Sequence, residues 1–172
     1  MKLVALTLLA ALAAACQTSG PRVQSAMSPG APFARYHTFS FGGAEGPPVG
    51  SYLSAGSWDV QNRLRPVVSA ALARKGYAED FGKADFVVRL ESGTADLLDT
   101  PVDEDVVNDA TTGRLAPGLS VAIDMYDAAT GARVWRGATV VATKGGRSDD
   151  RLLERIATSA FAELPRASKR GE

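Results

Sequence analysis

Cys16 is the single cysteine in a chain of 172 residues. It has no partner for an intrachain disulfide, so its thiol is left for modification. It directly follows Ala13, Ala14 and Ala15, which close an apolar run that begins at Leu3 (LVALTLLAALAAA), behind Lys2. Small side chains in that place fit a signal peptidase pocket, and a sulfur just beyond them is a site for acylation. The second group able to do chemistry is acidic. Asp96, Asp99, Asp103, Glu104, Asp105 and Asp109 lie in the segment 93–118. Calcium takes several carboxylates from a flexible loop, which makes Asp103, Asp105 and Asp109 candidate ligands. Their spacing is not that of an EF-hand, and the glycine of its sharp turn is missing. A solvated loop is the simpler reading.

Other candidates are weaker. His37 is the sole histidine. Beside Phe39 on a strand, it reads as a packed or edge side chain rather than a general base. Gly145-Gly146-Arg147-Ser148 ahead of a helix could hold an anion on free N–H groups. Asp149 and Asp150 would repel that anion, so a helix cap is expected there instead. The chain has no Gly-x-Ser-x-Gly elbow, no Walker loop and no Cys/His cluster for zinc. Nothing asks for a cofactor, and the sequence points to a domain that is not an enzyme.

A run of thirteen residues cannot cross a hydrocarbon core that needs about 20. Residues 1–15 therefore read as a signal peptide, set aside from the fold. The segment resembles the bacterial lipoprotein signal, which implies that Cys16 becomes the first residue and carries three acyl chains. That signal favours leucine three residues before the cysteine. Here Ala13 stands there, with Leu12 one place early. Each buried methylene contributes about 0.8 kcal/mol, so three chains make a nearly permanent anchor. An aspartate after the cysteine would resemble an inner-membrane retention signal. Gln17 stands there instead, and favours the outer membrane, periplasmic side.

Lys+Arg and Asp+Glu both number 19, for a formal net charge of zero. With no basic stripe among aromatics, nucleic acid is not an expected partner. Residues 16–34 are rich in Ser, Pro, Gly and Ala and read as a flexible tether, although an arm packed on the fold is open near Phe33. Residues 35–165 read as one domain and 166–172 as a mobile polar tail.

The elements that must position these groups follow from periodicity. Residues 35–41 read as a strand and 42–56 as a loop. Residues 59–75 read as a helix capped by Ser57 or Asp59, with Gly76 past its end. Pro66 should kink that helix or split it. Strands follow at 84–91, 119–127 and 133–143, the last two forming a hairpin around 128–132. Opposing Asp127 to Arg133 pairs Met125 with Trp135, Ile123 with Gly137 and Val121 with Thr139. It also pairs Asp124 with Arg136, charges of the stabilising sign. Ser148 is the expected cap of a last helix, which carries the stripe Leu152, Leu153, Ile156, Ala157, Ala160, Phe161 and Leu164 and stops at Pro165. Trp135 then faces the core, while Asp124, Tyr126 and Arg136 share the other face as a candidate partner surface.

The fold class is α+β, in the order β-α-β-β-β-α. A small mixed or antiparallel sheet carries both helices on one face. Two segments carry a resemblance: Tyr36-His37-Thr38-Phe39-Ser40-Phe41, and Ile123-Asp124-Met125-Tyr126-Asp127 with Thr130-Gly131 and Val134-Trp135-Arg136-Gly137. Between them lie Lys75-Gly76-Tyr77 and Ala84-Asp85-Phe86-Val87-Val88. Together they resemble the lipoproteins of domain-of-unknown-function family 4136 over about residues 33–165. The resemblance implies an envelope lipoprotein with a compact α+β domain and supplies no catalytic residue. The expected function is a non-catalytic binding or structural module, held to the membrane by lipid, with an envelope protein as its partner. The alternatives are a metal or small-ligand carrier using residues 93–118, and an envelope hydrolase.

Overall fold

The computed structural model describes residues 21–42, 51–52, 57–95, 118–143 and 148–168. Alternating apolar residues build its centre. Strand β5 (Phe86–Ala95) pairs antiparallel with β6 (Gly118–Asp127), and β6 with β7 (Arg133–Ala142). One face carries Phe86, Val88, Leu90, Val121, Ile123, Met125 and Trp135, all buried. The expected register holds from Val121↔Thr139 to Met125↔Trp135, including Asp124↔Arg136. It breaks at the end of the hairpin, where a bulge follows Met125 and Tyr126 opposes Arg133. Asp127 does not face Arg133, because the turn takes it. Its Oδ1 accepts the N–H groups of Ala129 and Thr130 at 3.1 and 2.7 Å, and Gly131 follows at φ 70°.

Strand β2 (Thr38–Phe41) runs parallel to β5 on its other side, and β4 (Ala78–Glu79) runs parallel to β2. Asp85 secures that junction. One carboxylate oxygen accepts the N–H groups of His37 and Thr38 at 2.7 and 2.9 Å, and the Thr38 hydroxyl at 3.1 Å. Burial pushes this carboxyl up, but those donors together hold it below its ordinary range. The full order is β1-β7-β6-β5-β2-β4, with the short β3 (Ser51–Tyr52) also paired to β5.

Helix α1 (Ser57–Arg74) lies between β3 and β4 in the chain, and α2 (Asp150–Ala160) follows β7. Both run side by side in the same direction. Arg63 of α1 reaches Asp150 at 2.7 Å at one end, and Lys75 donates to the carbonyls of Ala162 and Leu164 at the other. Both helices lie on the apolar face. The Ser92 hydroxyl donates to the Ser57 carbonyl at 2.9 Å, and a Cβ built on Gly137 would stand 3.1 Å from Ala160 Cβ. The α+β class and the helices on one face are as expected.

Several expectations are corrected. Residues 24–34 are not tether. Strand β1 (Gln24–Met27) pairs antiparallel with the outer edge of β7, and a 3-10 turn at Phe33–Arg35 seats Phe33 edge-on to Tyr36 and Trp135. Backbone pairing needs no apolar pattern, so a Ser- and Ala-rich stretch can supply an edge strand. The loop expected over 42–56 contains β3. Helix α1 starts at Ser57 and passes Pro66 unbroken. Pro66 and Asn62 both face solvent, so the carbonyl that loses its partner can be hydrated. Gly76 adopts φ 93°, and Tyr77 N–H donates to the Leu72 carbonyl, the Schellman closure. Asp149, not Ser148, caps α2, because its carboxylate accepts the Leu152 N–H at 2.6 Å. The tail is tied down at its start, where Ala167 N–H donates to the Lys75 carbonyl and Tyr77 Oη to that of Pro165.

Candidate functional site

The face of the sheet opposite the helices is charged. Odd positions of β5 and even positions of β6 and β7 point there, which brings Arg89, Glu91, Asp124, Tyr126 and Arg136 onto one surface. Asp124 is the centre. Its side chain is only 1% exposed, although both described helices lie on the opposite face. Its Oδ2 accepts from the Arg136 guanidinium at 2.6 Å, and its Oδ1 lies 3.8 Å from Arg133. The Arg89 guanidinium sits 4.5 Å from the centre of the Tyr126 ring, in cation–π geometry. Burial pushes the Glu91 carboxyl up, and the nearby Asp124 charge adds to this, against the three arginines.

Asp124, Tyr126 and Arg136 are therefore brought together as expected. Arg89, Glu91 and Arg133 belong with them and were missed. The signal was present in Val87-Val88-Arg89-Leu90-Glu91, where charge alternates with apolar residues toward the outer face. Three guanidiniums, two carboxylates and a phenol on a rigid sheet are groups that recognise peptide, carboxylate and aromatic surfaces.

Trp135 is buried as expected, opposite Met125. His37 is half-buried where β2 begins. Cys16 lies outside the described residues, as do Asp96, Asp99, Asp103, Glu104, Asp105 and Asp109. So do Gly145, Gly146 and Arg147. Among the described residues, no three His, Cys, Asp or Glu side chains gather in a way that could hold a metal ion. No described helix is long and apolar enough to cross a membrane.

Solved structures share this fold at low identity. A PDZ domain protein from Parabacteroides distasonis superposes with a TM-score of 0.58 at 13% identity, over 87% of this chain and 36% of its own. The chain thus spans about a third of that protein. A DUF4136 family protein from Bacteroides thetaiotaomicron gives 0.53 at 13% identity, over 87% of this chain and 99% of its own. PelC from Paraburkholderia phytofirmans, solved as a dodecamer, gives 0.52 at 12% identity, over 86% and 99%. A comparison with curated proteins returns no match. The model of the domain of unknown function DUF4136 matches residues 23–166, which takes in β1 as well as the hairpin and both helices, and the chain belongs to that family.

Proposed function

We propose that the protein is a lipoprotein of a bacterial envelope, anchored through acylated Cys16 in the outer membrane and facing the periplasm. Its domain binds another envelope component and is not an enzyme. The observation that supports binding is the Asp124 face. A polar surface with a buried carboxylate at its centre costs desolvation to build, and a rigid sheet keeps its groups in fixed positions for a partner. The anchor is supported by the sole cysteine directly after the apolar run.

The two halves are tested separately. A clickable fatty acid fed to cells should label the wild type and not Cys16→Ala, and labelling that persists in the variant overturns the anchor. A photo-crosslinking residue at position 126 should give a defined adduct in intact cells, while the same residue at exposed position 81 should not. Adducts of equal yield at both positions overturn the binding face. An adduct of twice the chain mass makes the partner a second copy of this chain.

A further inference from the structure

The structure places the start of the described chain and the start of α1 at the same end of the sheet. Ser92, Val121 and Thr139 stand side by side on β5, β6 and β7. The Thr139 hydroxyl donates to the Arg22 carbonyl at 2.7 Å, and the Ser92 hydroxyl donates to that of Ser57 at 2.9 Å. Arg22 and Ser57 therefore flank one row of the sheet. At this end, β5 and β7 finish, β6 begins and both helices begin. The far end holds the Asp127 turn, the start of β2 and Phe81.

The pairing of β1 also shortens the link to Cys16. Five Cα steps separate Cys16 from Pro21. Whatever their conformation, they reach at most ~18 Å. A tether running to residue 34 would have allowed more than three times that. A lipid on Cys16 thus holds this end of the domain close to the headgroups. Trp58 stands at the same end, in the first turn of α1, and is 69% exposed. Side chains of a helix lean toward its N-terminus, so the indole leans toward that end. Tryptophan is the side chain most at home at a membrane–water interface, where its ring is buried and its N–H stays hydrated.

We propose that this end of the domain rests on the lipid surface, with Trp58 as its contact. The strands then stand upright on the bilayer, and the face bearing Asp124 is turned sideways, away from the headgroups. The proposal rests on acylation of Cys16. The described charges at this end are mixed, with Arg63 paired to Asp59 and Asp150. Strands β5 and β6 lead from here into an acidic stretch. The contact therefore does not depend on anionic lipid.

The test uses the full acylated chain in phosphatidylcholine vesicles that contain a bromine-labelled lipid. Wild-type emission should be quenched and blue-shifted. Trp58→Phe should lose the quenching, and adding Phe81→Trp at the far end should not restore it. Trp135 is buried and contributes equally throughout. A Gly-Ser segment inserted between Gly20 and Pro21 should weaken the quenching while leaving flotation with vesicles intact. Protein that floats with unquenched Trp58, or with Phe81→Trp quenched as strongly, overturns the contact but not the anchor. Protein that carries no acyl chain and does not float overturns both.

Discussion

The Tyr36 hydroxyl donates to Asp127 Oδ2 at 2.6 Å, joining residues 91 positions apart in the chain. Asp127 thus ties together the hairpin turn, through Oδ1, and the segment that leads into β2, through Oδ2. The phenol bond, followed by the Thr130 N–H and hydroxyl, holds the Asp127 carboxyl below its ordinary range. A depressed carboxyl stabilises the fold above its unfolded value, near 3.9, and that stability is lost as pH falls through the folded value. Asp127→Asn should therefore melt below the wild type at pH 7. The gap should narrow on acidification below about pH 4, read by circular dichroism melts across pH. A gap independent of pH would assign the loss to geometry rather than charge.

Glu91 should behave in the opposite sense. Its carboxyl is raised by burial and by Asp124, so the folded state binds its proton more tightly than the unfolded chain does. Stability then falls as pH rises from the unfolded value, near 4.3, through the raised folded one. Glu91→Gln should melt above the wild type at pH 7 and level with it at pH 4. A variant less stable at neutral pH would show that the attraction of the arginines outweighs desolvation.

Asp124 and Arg136 form a pair in which only the carboxylate is fully buried. Removing one partner leaves the other uncompensated. Arg136→Ala should cost about 3 kcal/mol in urea unfolding, and Arg136→Lys less. The double variant Asp124→Ala/Arg136→Ala should lose clearly less than the sum of the single changes. Additive losses would mean that Arg133, at 3.8 Å, already satisfies the carboxylate.

Gly137 lets α2 pack closely against β7. A Cβ there would press on Ala160 Cβ at 3.1 Å with the Trp135 indole nitrogen at 3.6 Å. Gly137→Val should lower stability by about 1–3 kcal/mol through overpacking, measured by chemical unfolding. A neutral result would show that α2 can shift away from the sheet at little cost.

Much of the candidate site was legible in the residues. The Asp124–Arg136 pair followed from alternation and charge sign within one hairpin, where a five-residue turn leaves few registers. Trp135 followed in the same way. Arg89 was harder, because its place over Tyr126 depends on how β5 is set against β6, two strands separated by a long segment. The bulge after Met125 was not legible either. It arises because Asp127 serves the turn, and a turn's demand on a side chain competes with strand pairing only in three dimensions.

The sequence by itself determined the long elements. Apolar residues at a period of two wrote β5, β6 and β7, and those at three- and four-residue spacing wrote α1 and α2. These elements bury enough side chains to specify themselves. The tertiary structure alone decided that β1 belongs to the sheet, that β2 lies parallel to β5, and that Arg22 and Ser57 flank the same end. Such short strands are held by backbone hydrogen bonds, which any non-proline residue can make, so their choice of partner is not written in side-chain pattern. By drawing residues 24–27 onto β7, that choice also sets how far the domain can stand from Cys16.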